Sequence, residues 1–454
     1  MRINLYFHTL RFLKLKQLFF QLRRRVYKAK FKVKDYNPKI KLPETLFAQF
    51  IKKPISLINK SKLSFFGVEG DITEIDWDGN QKEKLWRYNQ HYFDNLSSPK
   101  NPKRQQWQEE LIKDWIEKND HNSIGWDPYP LSLRVVNWIK WHLNTKSLSL
   151  DAKKSLFNQG RYLERNLEYH ILGNHLFANA KALIFLGCIF SEKIAMRWLE
   201  KGVRIIEDEI SEQFLADGGN FELSPMYHCI VLEDILDIIN ILKTFKPVNY
   251  ISTVAPLKES VSKMLFWMEQ MTFEDGGVSC FNDSAINIAA KSDQIISYAE
   301  SLGIEYRISS DKGNLSYVHL SDSGYICAKI NKTNLILDVA KLGPNHLLAH
   351  AHADTLSFEL SVGAQRFIVN SGTSCYGESE RRLFERSTSA HNTVEIDNSN
   401  SSEVWSSFRV ARRAFPFGLE INCVDDLLTV RCSHDGYKKL KGEPVHTRNW
   451  SIGS

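Results

Sequence analysis

No stretch of the sequence reaches the roughly 18 uncharged apolar residues that a membrane-crossing helix needs, so no spanning segment is expected. There is no CxxC pair, and the seven cysteines (Cys188, Cys229, Cys280, Cys327, Cys375, Cys423 and Cys432) are odd in number and scattered. That argues against a disulfide framework or a zinc ribbon and for buried thiols in a reducing compartment. An export signal is not evident either. The short run "LFFQL" precedes Arg23-Arg24-Arg25, the reverse of the order in a signal peptide. No internal repeat stands out, and no nucleic-acid-binding motif accompanies the basic charge, so nucleic acid is not an expected partner.

What is present is enough apolar material for a large core, 43% of 454 residues, with 26 Phe, 16 Tyr and 11 Trp. Length alone allows two or three domains. The net charge of +6 is uneven: residues 1–41 hold 13 Lys and Arg against the single acid Asp35, which leaves the body mildly acidic. Residues 9–30 read as a basic helix in which Leu10, Phe12, Leu13, Leu18, Phe19, Phe20 and Leu22 alternate with Arg and Lys. Such a segment is either a packing arm or an interfacial helix, and peripheral membrane contact through residues 1–41 is the expectation it raises.

The rest of the chain divides by period. Residues 31–100 look irregular, with Pro38, Pro43 and Pro54 and a Trp-rich end, "LWRYNQHYFDNL". From about 104 to 302 apolar residues recur at helical steps, as Ile230, Leu232, Ile235, Ile238, Ile239 and Leu242 do. Similar segments lie near 104–118, 131–145, 150–166, 175–190, 192–213, 254–270 and 287–302, joined by short polar turns. After about 310 the period becomes two, in "YICAKI", "NLILDVA", "LSFELSV", "RFIVNSG", "NTVEID" and "LLTVRC". Helices followed by strands predict a basic arm (1–45), a helical domain (46–310) and an antiparallel β domain (311–454). The sequence ends at "RNWSIGS" as one more strand begins, so the β domain is expected to be incomplete at that edge.

Four places concentrate reactive side chains. In "LAHAHADTLSFEL", a strand would put His350, His352, Asp354, Leu356, Phe358 and Leu360 on one face. Buried imidazoles need partners: the stretch is either a hydrogen-bonded core pair or metal-ligand chemistry. "SAHNTVEID" places His391 at the start of another strand. "GNHLFAN" puts Asn174, His175 and Asn179 at a helix opening, where Asn also serves as an N-cap. "FELSPMYHC" sets Tyr227 and His228 at a turn into a helix, where a Tyr is commonly a packing residue.

These motifs, in the order "LGNHLFANAKAL", "DGGNFELSPMYHCIVLEDIL", "HAHADTLSFELSVGAQRFIVNSG" and "SAHNTVEID", resemble the heparinase II/III-like polysaccharide lyases, in the branch associated with bacterial surface-polysaccharide loci. "LWRYNQHYFDNL" and "GWDPYPLSLRVVNWIKW" resemble that branch too, so the likeness covers nearly the whole chain. The resemblance implies an incomplete α/α toroid followed by an antiparallel β-sandwich, with a cleft lined by both. It implies β-elimination at a uronic acid within an anionic polysaccharide, with no cofactor required.

By the same resemblance, Asn174 and His175 match the carboxylate-neutralising and base positions. Tyr227 matches a Tyr acting as acid, base or both, and His350 a catalytic histidine of the β domain. Some members hold a structural Zn²⁺, whose ligands fall here on His352, Asn370 and His391. Zinc-binding members carry Asp where this chain has Asn370, and a neutral amide is a poor zinc ligand. Some heparin-acting members carry an acid where Ala178 stands. Arg134 and Asn137, one helical turn apart, are expected to face the cleft with Trp126 and Tyr129, offering a cation and stacking surfaces to a sugar acid; a salt bridge and a core Trp are the structural alternative. Asn282 and Asp283 in "CFNDSA" are expected to open the last toroid helix and line the same cleft.

Two functions follow. One is a lyase acting on a uronate polymer. The other is a non-catalytic carbohydrate-binding or assembly protein of envelope polysaccharide synthesis on the same fold, since fold alone does not fix function. Retention of Asn174, His175, Tyr227 and His350 together favours the lyase. The family points to the cell envelope or periplasm, and the sequence offers no visible signal to match.

Overall fold

The computed structural model describes residues 2–26, 31–145, 148–307 and 314–453. Its helices are α1 (Arg2–Leu10), α2 (Leu15–Val26), α3 (Ile72–Ile75), α4 (Lys84–Tyr92), α5 (Pro102–Lys118), α6 (Pro128–Thr145), α7 (Leu150–Leu163), α8 (Gly173–Ile189), α9 (Lys193–Gln213), α10 (Pro225–Phe245), α11 (Val254–Gln270), α12 (Ser292–Ser301) and α13 (Glu380–Glu385). A short hairpin, β1 (Lys62–Phe65) with β2 (Val68–Asp71), interrupts the helical part. The remaining strands follow residue 314: β3 (Leu315–Leu320), β4 (Tyr325–Ile330), β5 (Thr333–Asp338), β6 (Phe358–Val362), β7 (Gln365–Ile368), β8 (Val404–Trp405), β9 (Arg409–Val410), β10 (Pro416–Val424), β11 (Leu427–His434) and β12 (His446–Ile452). A helical N-terminal part thus precedes an antiparallel, sheet-rich C-terminal region, as the change of period indicates.

Several helices begin where the sequence supplies caps. Asn101 accepts from the Arg104 amide with Pro102 at the first helical position of α5, Ser149 accepts from Ala152 at α7, and Ser379 from Arg382 at α13. The basic head is two helices rather than one over 9–30, because residues 11–14 form a turn between α1 and α2. Residues 31–100 are less irregular than expected, holding the β1–β2 hairpin, α3 and α4.

Contacts divide the chain into two compact units that interleave along the sequence: Met1–Lys14, Ser211–Glu233 and Lys258–Ser454 form one, Leu15–Ile210 and Asp234–Leu257 the other. This grouping by contacts cuts across the segments 1–45, 46–310 and 311–454 expected from the sequence. The reason lies in the five-stranded sheet of the first unit, in the order β3-β4-β5-β6-β7. Strand alternation sends Tyr325 and Cys327 to one face and Ile326 and Ala328 to the other. The first face buries Trp267, Met271, Phe273 and Phe281, so the end of α11 and the loop after it belong with the sheet. The second face shares a core with Leu428, Val430, Cys432 and Trp450 of the three-stranded sheet β10-β11-β12. The terminal strand β12 pairs with β11 from Leu428↔Ile452 to His434↔His446. Helix α1 joins this unit through Thr9, which donates to the Val410 carbonyl at 3.2 Å and accepts from the Trp405 indole at 3.1 Å.

In the helical unit α8 is buried along nearly its whole length. A Cβ on Gly187 would come within 2.5 Å of Leu199 Cβ, so this glycine lets α8 and α9 approach closely. Lys181 on α8 has no exit to solvent and is neutralised in place. Its ammonium meets Asp234 at 2.7 Å and Asp237 at 2.6 Å, and Asp237 also meets Lys140 at 3.0 Å. Five of the seven cysteines are buried, in keeping with their reading as core thiols.

Candidate active site

The expected strand over the HAHAD stretch is absent: residues 348–357 form a loop and β6 starts only at Phe358. The reason is that this backbone is bonded elsewhere. The His352 amide donates to Asn282 Oδ1 at 3.0 Å, the Ala353 amide to the Arg386 carbonyl at 3.0 Å, and Leu356 takes a left-handed φ of 64°. "NTVEID" likewise forms no strand, and His391 follows a 3-10 turn, Thr388–Ala390.

Asn282 and Asp283 do not open a helix; α12 begins at Ser292. They lie in a loop whose left-handed Asn282 (φ 54°) is a conformation Asn tolerates. The buried Asn282 side chain donates to the Leu223 carbonyl at 3.0 Å and accepts from the His352 amide, so it clamps these two segments together. The Asp283 amide donates to the His350 carbonyl at 3.0 Å, so the 282–283 and 350–352 loops are fastened together twice. A third segment closes on them at Gly372 (φ 61°), where a Cβ would lie 2.2 Å from the Ser284 carbonyl oxygen.

Asp283 is the hub of this cluster. Its fully buried carboxylate accepts from His350 Nδ1 at 2.9 Å, His352 Nε2 at 2.8 Å and both terminal nitrogens of Arg382 at 2.5 and 2.7 Å. Burial alone would raise this carboxyl, but the two histidines and the guanidinium outweigh it and hold it well below the usual range. His350 Nε2 lies 3.4 Å from the buried Glu222 carboxylate. Burial would lower the His350 imidazole; Glu222 and Asp283 overcome that and raise it.

Tyr227 reaches the cluster because Ser224 caps α10: its hydroxyl accepts from the Tyr227 amide at 3.3 Å and donates to the Asp283 carbonyl at 2.8 Å. The half-buried Tyr227 ring lies over His350, centroids 4.0 Å apart at 31°. Its hydroxyl donates to that of Tyr376 at 3.1 Å. Tyr376 lies 5.2 Å from the Arg382 guanidinium and stacks on Phe408. The Tyr227 phenol thus lies against an imidazole favoured in its charged form, and its hydroxyl is a hydrogen-bond donor.

The three expected zinc ligands meet, but in a line. His352 spends Nε2 on Asp283 and Nδ1 on His391 Nε2 at 3.2 Å; His391 spends Nδ1 on Asn370 Oδ1 at 3.2 Å. His352 Nδ1 and His391 Nε2 thus face each other, while the other two ring nitrogens are engaged by Asp283 and by Asn370, whose neutral amide is a poor zinc ligand. Among the described residues no group of three or more His, Cys, Asp or Glu is placed to hold a metal. Asp354 is buried, and burial raises its carboxyl.

The other expected residues belong to the helical unit. The N-cap position of α8 is Leu172, with no side-chain cap bond, so Asn174 and His175 lie in the first turn rather than at the cap. Both are partly exposed. His175 Nδ1 bonds Glu168 at 3.1 Å, and its ring stacks on Tyr129 at 4.3 Å. Burial pushes the Glu168 carboxyl up, but His175 and Asn179 outweigh it and hold it low. Arg134, Asn137 and Trp126 do not face a sugar. Arg134 is fully buried, giving its guanidinium to the Gly125 and His91 carbonyls and Gln159 over the Trp115 ring at 3.9 Å. Asn137 donates to the Tyr92 carbonyl and Asp94, and Trp126 stacks on Trp115. All three side chains are buried inside the helical bundle. Sequence reasoning did not single out Glu222, Arg382, Tyr376 or Glu168. Glu222 carried a signal, being a charge within a motif segment that folds into the interior.

Two family profiles match the chain: "Heparinase II/III N-terminus" over residues 23–303 and "Heparinase II/III-like, C-terminal" over 313–453. A heparin-sulfate lyase of Pedobacter heparinus is 27% identical over 324 residues, 63% of this chain and 47% of that protein. One of Bacteroides stercoris is 29% identical over 254 residues, 51% and 37% of the respective chains. The chain thus spans less than half the length of these relatives. The crystal structure of heparinase III superposes with a TM-score of 0.61 at 20% identity, covering 82% of this chain and 61% of the other.

Proposed function

Because the chain belongs to the heparinase II/III family, we propose that it is a polysaccharide lyase that cleaves a uronate-containing, anionic polymer by β-elimination. The observation that carries this reading is the contact of Tyr227 with His350, whose imidazole is held between Asp283 and Glu222. Elimination needs a base for the C5 proton, an acid for the departing O4, and neutralisation of the uronate carboxylate on which negative charge builds. The C5–H electron pair becomes the C4–C5 double bond, the C4–O4 bond breaks, and O4 leaves with a proton.

We assign Asn174 to the carboxylate, His175 and Tyr227 to proton transfer, and His350 to keeping positive charge beside the Tyr227 phenol. Tyr129 stacks on His175 and fixes its ring. No step is routed through a metal. The relatives are named as heparin-sulfate lyases, but Ala178 departs from some heparin-acting members, so the substrate is proposed as a uronate-containing polymer without naming heparin. On the same family basis we read the helical part as an incomplete α/α toroid and the strand-rich part as a β-sandwich.

Elimination creates a C4–C5 double bond that absorbs in the ultraviolet. The test is a panel of uronate polymers followed at that absorbance, with Tyr227→Phe and His175→Ala beside the wild type. Activity lost in both variants supports the assignment. No absorbance rise with any polymer favours a non-catalytic carbohydrate-binding protein.

A further inference from the structure

Helix α2 has two unlike faces. One is turned to the protein: Gln17 is buried, the Phe20 ring lies 4.8 Å from that of Tyr169, and Arg24 reaches His170 Nε2 at 2.8 Å. The other face is a stripe of large apolar side chains left in solvent. Leu15, Phe19, Leu22 and Val26 follow at steps of four, three and four residues and are 84%, 62%, 63% and 80% exposed. Leu18 widens the stripe. Helical geometry places Lys16 and Arg23 along one border of it and Arg25 along the other, all three exposed. No acidic residue occurs in this helix.

A stripe of this kind is costly in water, and a soluble monomer rarely keeps one without a use. The arrangement matches an amphipathic helix that lies in the plane of a bilayer interface, apolar side chains among the acyl chains and cations at headgroup level on both flanks. Arginines on the borders can turn toward headgroups while Leu15, Phe19, Leu22 and Val26 insert. A repeating anionic polymer would satisfy the cations but would leave the apolar stripe in water. Helix α1 carries its own stripe, with Ile3, Phe7 and Leu10 exposed beside Arg11. Helix α2 has 12 residues, too short to cross a bilayer, so it would lie in the interface plane.

We propose that α2 docks the protein on an anionic lipid surface, with Leu15, Phe19, Leu22 and Val26 inserted and Lys16, Arg23 and Arg25 against the headgroups. The proposal is independent of the lyase reading.

The experiment is co-sedimentation of the full chain with vesicles of phosphatidylcholine alone and of equimolar phosphatidylcholine and phosphatidylglycerol, at low and high salt. Each basic residue near an anionic surface strengthens binding by roughly fivefold, so binding to the anionic vesicles is expected to be at least about tenfold stronger and to weaken with salt. Phe19→Glu with Leu22→Glu, and separately Arg23→Ser with Arg25→Ser, are each expected to lower it about tenfold or more. Arg24→Gln, on the protein-facing side, is expected to bind as the parent does. Far-UV circular dichroism and the thermal midpoint confirm that each variant is folded. Equal binding to both vesicle types, or none to either, overturns the proposal. So does a folded Phe19→Glu/Leu22→Glu variant that binds vesicles like the parent. Binding only to a soluble uronate polymer, lost with Arg23 and Arg25 alone, overturns it in favour of a polymer-binding face.

Discussion

Arg382 grips Asp283 through both terminal guanidinium nitrogens, at 2.5 and 2.7 Å, and neither side chain is exposed. The pair sets the site because Asp283 then holds His350 and His352 with what remains of its acceptor capacity. Removing one partner strands a buried charge. Arg382→Met is therefore expected to cost about 3–5 kcal/mol in urea unfolding. The double variant Asp283→Leu/Arg382→Met should recover part of that loss, since no lone charge is left. Equal destabilisation by the single and double changes would show that the pair is not the source.

The Tyr227–Tyr376 hydroxyl contact separates a positioning role from a structural one. Tyr376→Phe removes the 3.1 Å hydrogen bond from the Tyr227 hydroxyl, whose loss should cost about 1 kcal/mol of stability. If the bond orients the Tyr227 phenol, kcat should fall roughly tenfold with little change in KM. A rate equal to wild type would remove Tyr376 from the mechanism.

His228 gives a pH dependence of known sign. Its ring is buried against Trp267, Nε2 bonds the Met264 carbonyl at 3.0 Å, and burial lowers the imidazole from 6.5 to about 4. Between those values the unfolded chain binds a proton that the folded chain does not. Stability carried by the neutral ring is whole above pH 6.5 and drains away as pH falls toward 4. Each pH unit in that window should cost about 1.4 kcal/mol. His228→Gln keeps a donor for Met264 and cannot titrate, so the parent's stability should fall more steeply than the variant's. Parallel curves from pH 7 to 4.5 would contradict this.

The line Asp283–His352–His391–Asn370 predicts indifference to zinc. Chelation followed by added Zn²⁺ should leave the thermal midpoint unchanged, because each imidazole nitrogen already has a side-chain partner. A rise of several degrees with zinc would mean that the imidazoles turn to a common ion.

Much of this was legible in the sequence. The helical periods gave α5, α9 and α11 nearly to the residue, and the change of period near 310 marks the start of the sheets. Alternation was misleading at His350–Asp354. There the apolar/polar pattern imitates a strand, while the backbone is bonded to Asn282 and Arg386 from distant segments. Arg134 misled for a related reason. A cation next to aromatics looks like a sugar platform, yet its donors serve the Gly125 and His91 carbonyls. Arg382 and Tyr376 were invisible because their meaning comes from Asp283 and Tyr227, about 100 and 150 residues away.

The central claim is that Tyr227, with His350 against its ring, takes part in proton transfer during β-elimination. It is tested most directly by the absorbance of the C4–C5 double bond formed from uronate polymers by the wild type and by a folded Tyr227→Phe variant. The account predicts a steady rise with at least one polymer for the wild type and a rate at least about 100-fold lower for the variant. A Tyr227→Phe enzyme as fast as the wild type would contradict it.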